Sequence, residues 1–475
     1  MIDLHKLTIK EARENLQKKV FSAKDLALSY LSRIKEVNGD INAYLEVYDD
    51  VIKQAEEADK KIANGEDLPL LGIPLAIKDN ILVRGKRATS ASKILEGFIS
   101  PYDATVITKL KEAGAIFLGR VNMDEFAMGG STENSAFGVT KNPLDFTRVP
   151  GGSSGGSIAA VAMDGALASL GSDTGGSVRE PASFCGVVGL KPTYGGVSRH
   201  GLMALGSSLD VIGPITKTAT DSETLFNCIK GIDPMDSTTY SEDTYPKAVV
   251  KDKMVIGVPY HILNKGGISK EAREVFDNSV DKLKKLGFEI KEIELPNIEY
   301  SLAVYYIIMP AEASSNLARF DGVRFGLHKD GDNLLEDYLK TKGEGFGKEV
   351  RRRILIGTYV LSAGYHDAYY NKALKLRSKI SKDFEKAFKD VDAIITPTTT
   401  GVAFKIGEKA NDPLSLYLED IFTVPANIVG IPAISIPSGT ISVSEKELPL
   451  GLQIMSKHNA ENILFHISKK FLGEN

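Results

Sequence analysis

One unit of sequence recurs along this chain and limits what it can fold into. It is an amphipathic helical stretch, a glycine, and an apolar run of strand length. "DATVITKLKEAGAIFLGRVN" has helical spacing, a stop at Gly114, and then the apolar run. "SIAAVAMDGALASLGSDT" repeats it, as does "EAREVFDNSVDKLKKLGFEIKEIELP" with Gly287 as the stop. Glycine ends a helix because it takes the left-handed backbone conformation without a Cβ clash. Helices alternating with strands predict an α/β protein whose helices cover a largely buried sheet. "LGIPLAIKDNI", "DAIITPTT", "PAISIPSG" and "LPLGLQIMS" add strands, and "ENILFHISKKFL" adds a closing helix.

Near the N-terminus, Ser22 reads as a helix cap, followed by Leu26, Tyr30, Ile34 and Val37 on one apolar face. A polar helix over 50–63 ends at Gly65, and the polar stretch 241–253 reads as a surface loop. With no internal repeat and no low-complexity tract, the expectation is one large domain over 1–475, with a helical addition over about 300–420.

Composition removes several functional classes. The chain has 475 residues, 43% hydrophobic and 25% charged, enough for a large core. A formal net charge of −4 gives no reason to expect phosphate-backbone binding by this chain itself. The opening "MIDLHKLTIK" mixes acid and base and does not read as a signal peptide. No run approaches the ~18 apolar residues of a membrane span. Cys185 and Cys228 are too few for a disulfide framework, so the expected compartment is the cytoplasm. The seven histidines are scattered, so no metal site is expected.

Of the 44 glycines, 18 fall between Gly129 and Gly213. Two loops stand out there, "GGSSGGS" at 151–157 and "SDTGGS" at 172–177. A phosphate cradle would need a lysine after the last glycine, where this chain has Ser157. A nucleophile elbow fits G-x-S-x-G twice, around Ser153 and Ser154, but it requires a downstream histidine. His200, His261, His328, His366, His458 and His466 lie downstream, none of them in a distinctive loop. A neutral lysine can replace histidine as the base for serine. Its pKa must then fall by about three pH units, ~4 kcal/mol, which burial can supply. Lys78, at the end of "GIPLAI", is the candidate, against the plainer reading of a strand-end lysine paired with Asp79.

Taken together, "GIPLAIKDNI", "VPGGSSGGSIAAVA" and "GSDTGGSVREPASFCGVVGLKPTYGGVSRHGL" resemble the amidase signature family over essentially the whole chain, with the core at about 65–215. The resemblance implies an α/β fold on a mixed, mostly parallel sheet of about eleven strands covered by helices. It implies a catalytic set of Ser177 as nucleophile, Ser153 as bridge and Lys78 as base, with a cis peptide before Ser153. The backbone N–H groups of Thr174, Gly175, Gly176 and Ser177 would surround the developing oxyanion, where one donor is typically worth ~3–4 kcal/mol of barrier.

Within that family, "NMDEFAMGGSTENSAFG", "YYIIMPAEASSNLARFDGVRFG", "GFGKEVRRRILIGTYVLSAGYHDAYY" and "LYLEDIFTVPANIVGIPAISIP" are similar to the glutaminase subunits of bacterial tRNA-dependent amidotransferases. This likeness implies release of ammonia from glutamine and its delivery to a B subunit in a heterotrimer braced by a C subunit. The B subunit would contact tRNA and use ATP and Mg²⁺ to amidate Glu on tRNA(Gln) or Asp on tRNA(Asn), so no cofactor is expected in this chain. Arg353 would hold the glutamine carboxylate and Asp420 the ammonium, with Tyr305, Met128 and Gly129 lining the pocket and Glu125 near the ammonia path. Successive helical residues point about 100° apart, so at most one of Arg351, Arg352 and Arg353 can face a site. Two other readings share the motifs: a stand-alone amidase acting on a small amide, and a non-catalytic anion-binding module.

Overall fold

A computed structural model describes residues 2–474 apart from 242, 265, 266, 410 and 411. Its centre is one mixed sheet of eleven strands. In chain order they are β1 (Tyr44–Val47), β2 (Pro74–Lys78), β3 (Ile116–Val121), β4 (Ala168–Asp173), β5 (Val188–Lys191) and β6 (Val211–Thr216), then β7 (Val255–Val258), β8 (Glu289–Glu292), β9 (Ala393–Pro397), β10 (Ala433–Val443) and β11 (Lys446–Met455). Their spatial order is β1-β3-β2-β4-β6-β5-β10-β11-β9-β7-β8.

The eleven-stranded mixed sheet is as expected, but the expected predominance of parallel pairs needs correcting. Among the described residues, β2–β3, β2–β4, β7–β8 and β7–β9 are parallel, whereas β1–β3, β4–β6, β5–β6, β5–β10, β10–β11 and β9–β11 are antiparallel. Two of the parallel pairs, β2–β3 and β7–β8, are joined directly by the repeated helix crossovers. The antiparallel centre combines a β10–β11 hairpin turning at Ser444 and Glu445, both at positive φ, with pairings between strands distant in sequence such as β5–β10.

Burial follows position. Every residue of β2, β3, β4, β6 and β9 is buried, which is why most of them are apolar, with Lys78, Arg120 and Asp173 as buried charged exceptions. The edge strand β8, "EIKE", is mostly exposed, and its charges discourage pairing with another chain. The Ser22 cap forms a capping box with Asp25, and Leu26, Tyr30 and Ile34 are buried, with Val37 partly so.

Four helices, Ser301–Asn316, Leu334–Gly345, Lys348–Leu361 and Tyr370–Ala387, make the helical addition. It ends earlier than 420, because β9 at Ala393–Pro397 returns to the sheet beside β7 and β11. Helices Ser301–Asn316 and Lys348–Leu361 meet backbone to backbone at Gly357, where a Cβ would lie 1.8 Å from the Pro310 carbonyl oxygen. Only glycine permits that approach, which brings the Tyr305 and Arg353 faces together. Among the described residues no helix is long and apolar enough to cross a membrane.

Candidate active site

β2 delivers Lys78 into the core at its last residue, with no side-chain exposure. Its Nζ lies 2.9 Å from Ser153 Oγ, 2.7 Å from Ser154 Oγ, 2.9 Å from Ser172 Oγ and 3.3 Å from Ser172 O. Burial holds its pKa down at about 7, against the opposing pull of Asp124, Asp173 and Asp210. The expected alternative, an ion pair with Asp79, does not form. Asp79 pairs instead with Arg120 at 2.9 Å.

Proton bookkeeping at Nζ excludes one of the three serines. The Ser154 hydroxyl donates to Ser172 O at 3.0 Å, so toward Lys78 it can only accept. Ser153 Oγ has no side-chain partner among the described residues other than Lys78, and Ser172 Oγ only accepts, from Lys78 and from Asn80 Nδ2, so either hydroxyl proton is free to meet the lone pair of a neutral amine. Of the two, Ser153 stands on the loop that is bonded to Ser177 through Ser154 N–H. The peptide Gly152–Ser153 is cis.

Ser177 follows β4 and the turn Thr174–Gly176. It is 8% exposed, more than Ser153 or Lys78, and its hydroxyl makes no hydrogen bond to a described residue. The expected Ser153–Ser177 side-chain bond is therefore not formed here, and the loops are joined by Ser154 N–H donating to Ser177 O at 3.2 Å. Catalytic hydrogen bonds in unliganded sites are often long or misaligned.

The proposed oxyanion loop needs a second correction. The Gly176 N–H is already committed to Asp173 Oδ1 at 2.9 Å, while the amides of Thr174, Gly175 and Ser177 find no acceptor among the described residues. Gly176 sits at φ +148°, and a Cβ on Gly175 would meet the Tyr305 ring at 2.7 Å. Asp173 also accepts Val178 N–H at 3.2 Å, so its carboxylate grips the amides on both sides of Ser177. Burial opposes its charge, but the Arg179 guanidinium, two-pronged at 3.0 Å each, holds the carboxyl down at about 2.

The groups beyond come from the helical addition and from the short helical turns Pro413–Leu418 and Glu419–Ile421 that follow β9. Of the three arginines only Arg353 is buried; Arg351 is exposed and Arg352 half-buried. Arg353 Nε donates to Glu349 Oε1 at 2.7 Å, and its guanidinium lies 5.8 Å from the Tyr306 ring and 5.9 Å from the Tyr417 ring. Tyr306 and Tyr417 stack at 3.7 Å, and Tyr306 OH donates to Asp420 Oδ2 at 3.3 Å. Burial pushes Asp420 up to about 7, with Arg353 pulling the other way. Sequence reasoning missed Tyr306, Tyr417 and Glu349. The signal for Glu349 was its place one helical turn before Arg353.

Met128 is fully buried in the apolar cluster that includes Tyr305 and Met309. At Gly129 a Cβ would strike the Asp124 carboxylate at 2.3 Å, and Gly130 lies against Gly152. Glu125 is placed elsewhere. Ser92 Oγ donates to its Oε1, and Gly347 N–H donates to its Oε2 at 2.8 Å. It lines a cavity of about 330 Å³ that also reaches Glu349, and burial pushes it up to about 7. No described contact joins Glu125 to Ser153 or Ser177.

A buried lysine facing two glycine-turned serine loops on a mixed eleven-stranded sheet agrees with what the comparisons return. The family described as Amidase matches residues 25–465, and the chain belongs to it. Within the family it is 54% identical to the A subunit of Glutamyl-tRNA(Gln) amidotransferase from Thermoanaerobacter pseudethanolicus, over 99% of this chain and 96% of that one. The same-named protein of Desulfatibacillum aliphaticivorans is 51% identical, over 98% and 97%. The crystal structure of the same-named protein from Thermotoga maritima superposes with TM-score 0.79 at 44% identity, covering 99% of this chain and 95% of that one. The peptide amidase of Stenotrophomonas maltophilia, 27% identical, shares the fold at TM-score 0.81 over 98% and 96%.

Proposed function

We propose that this chain is the glutamine-hydrolysing subunit of a tRNA-dependent amidotransferase, with Ser177 as nucleophile, Ser153 as proton bridge and Lys78 as base. Ser177 Oγ attacks the side-chain amide carbon of glutamine as its proton passes to Ser153 and the Ser153 proton passes to the neutral Lys78 amine. The tetrahedral oxyanion meets the unengaged amides of Thr174, Gly175 and Ser177. The protons return along the same relay to the leaving nitrogen. The C–N bond breaks, ammonia departs and a glutamyl ester remains on Ser177. Water, activated by the same relay, then cleaves the ester to glutamate and restores the serine.

The observation that carries this chemistry is the Lys78 amine, fully buried, held near neutrality at about 7 and in contact with Ser153. Substrate choice rests on charge. Free glutamine carries an α-carboxylate and an α-ammonium. Arg353 and Asp420, bridged by Tyr306, offer one cation and one anion beside Tyr305. Relatives more than half identical over almost their full length, named for amidation of Glu-tRNA(Gln), support the partner reaction.

The relay uses only side chains of this chain. ATP, Mg²⁺ and tRNA belong, in this reading, to a B subunit, with a C subunit bracing a cytoplasmic heterotrimer. Ammonia becomes unreactive ammonium in water at neutral pH, so it must be handed on directly. Co-expression with candidate B and C subunits tests the assembly, with glutamine-dependent amidation of Glu-tRNA(Gln) and Asp-tRNA(Asn) as the readout. Full-rate glutamine hydrolysis by the lone chain, with no binding to either subunit, would favour a stand-alone amidase instead.

A further inference from the structure

Thr423 lies where the chemical half and the recognition half of this site meet. It is fully buried, and its hydroxyl donates to the Gly175 carbonyl at 2.7 Å. Its N–H donates to the Asp420 carbonyl at 3.1 Å, closing the short turn that carries the Asp420 side chain. Its own carbonyl accepts from Arg179 Nη1 at 2.8 Å. Both Thr423 and Asp420 press on the same loop residue, since a Cβ on Gly176 would meet Thr423 Oγ1 at 2.3 Å and Asp420 Oδ1 at 3.2 Å.

The consequence is geometric. Gly175 C=O and Gly176 N–H are the two ends of one rigid peptide plane. Thr423 holds one end and Asp173 Oδ1 holds the other, at 2.9 Å. Fixing that plane restrains the two amides on either side, Gly175 and Ser177, which with Thr174 are the ones left to meet an oxyanion. One end of the plane is anchored in the buried Asp173–Arg179 pair. The other is anchored to the turn that carries Asp420.

We propose that Thr423 is a positioning residue that couples occupancy of Asp420 to the oxyanion amides. An α-amino substrate thereby speeds the acyl chemistry as well as binding. The inference rests on the reading of Ser177 as nucleophile and Asp420 as ammonium anchor. Binding of an ammonium at Asp420 draws on the 420–423 turn, and the Thr423 hydroxyl transmits that pull to the Gly175–Gly176 peptide. A substrate without the ammonium leaves the loop in its resting alignment.

The test compares glutamine with butyramide, a primary amide without α-charges, on the full chain in its assembled complex. Thr423→Val keeps shape and removes the hydroxyl. It should lower kcat on glutamine roughly 10- to 100-fold, as expected when one hydrogen bond's worth of ammonium-driven alignment no longer reaches the oxyanion amides, and shift glutamine KM by less than about threefold. Butyramide turnover should fall by less than about threefold, and Thr423→Ser should restore the glutamine rate. Equal losses on the two amides would reduce Thr423 to general support of the loop and overturn the coupling. A change in glutamine KM alone would overturn it too, as would failure of serine to restore. Should the valine variant not fold, Asp420→Asn decides: coupling requires a fall in kcat on glutamine, and an effect confined to KM refutes it. A wild-type complex that does not hydrolyse glutamine at all would instead remove the reaction assignment beneath the inference.

Discussion

Lys78 donates to hydroxyls and one backbone carbonyl and forms no ion pair among the described residues, whereas Arg353, at the other end of the same site, holds a carboxylate and lies under two tyrosine rings. The two cations are buried for opposite purposes. Without an ion pair, burial drives Lys78 toward the neutral form, which is what a base requires. With Glu349 beside it, Arg353 stays charged, its pKa held well above the usual guanidinium range despite burial. A charged Lys78 could take no proton, and a neutral residue at 353 could hold no carboxylate. The difference is set by the neighbours each fold element supplies. β2 ends among serine loops, while the helix Lys348–Leu361 carries its own carboxylate one turn earlier.

The sharpest way to break the comparison is to remove chemistry and recognition separately. Ser177→Ala should abolish glutamine hydrolysis, by on the order of 10⁴-fold or more, without unfolding the chain. Lys78→Ala and Ser153→Ala should each cost several orders of magnitude, and the double variant should be no worse than the poorer single one, because the relay acts as a unit. Multiplying losses would refute the relay. In the assembled complex, free ammonia should bypass all three changes. Failure of that rescue would show that these residues serve something other than ammonia release.

Arg353→Ala should come next. Truncating one member of a desolvated, charge-assisted contact typically costs ~2–5 kcal/mol, roughly 30- to 5000-fold in kcat/KM. The loss should fall on glutamine KM and leave a small amide without α-charges nearly untouched. Equal losses for both substrates would assign Arg353 to structure, through its bond to Glu349, and not to recognition.

These two ends of the site were unequally legible in the sequence. Lys78, Ser153 and Ser177 stand in contiguous motifs whose glycines announce tight turns, so residue type and spacing expose them. So do β2 and β3, mainly apolar because they are buried on both faces, whereas β4 is equally buried but carries Ser169, Ser172 and Asp173. The proposed glutamine pocket is assembled from residues 305, 306, 349, 353, 417 and 420, and nothing local marks an aromatic on a helix as a pocket wall instead of core. Tyr306 and Tyr417 were missed for that reason. β1 and β7, four residues each, are too short for their period to show, and β5 and β6 are masked by the glycine and proline around them. Strand direction was illegible too, since antiparallel pairing at the centre depends on which distant strands meet.

The pH dependence should separate the two cations in solution. Lys78, lowered to about 7, acts only when neutral, so kcat should rise with pH through about 7. Below that it should fall about tenfold per pH unit. Asp420, pushed up to about 7, must be ionised to take an ammonium, so protonating it weakens glutamine capture in the same range. The acid limb of kcat/KM should therefore be steeper than that of kcat, and removing the carboxyl with Asp420→Asn should make the two limbs parallel. A kcat flat from pH 5 to 8 would contradict a titrating Lys78.

Arg352→Ala should have the smallest effect and decides which arginine recognises substrate. Arg352 meets Glu349 two-pronged at 2.7 Å and also reaches the Tyr417 hydroxyl, so by its contacts alone it is as well placed as its neighbour. It differs in exposure, 33% for the side chain against 5% for Arg353. Partly exposed ion pairs are typically worth ~0.2–1 kcal/mol, so its removal should change glutamine kcat/KM by no more than about fivefold. Glu349 keeps Arg353 as a partner after the change and stays ionised, since its carboxyl is held below the usual range by both guanidiniums against burial. A small effect at 352 beside a large one at 353 is what one inward-facing arginine per helical turn requires. Matching losses would mean that Arg352 and Tyr417 form the carboxylate site, with Arg353 serving to hold Glu349 in place for them.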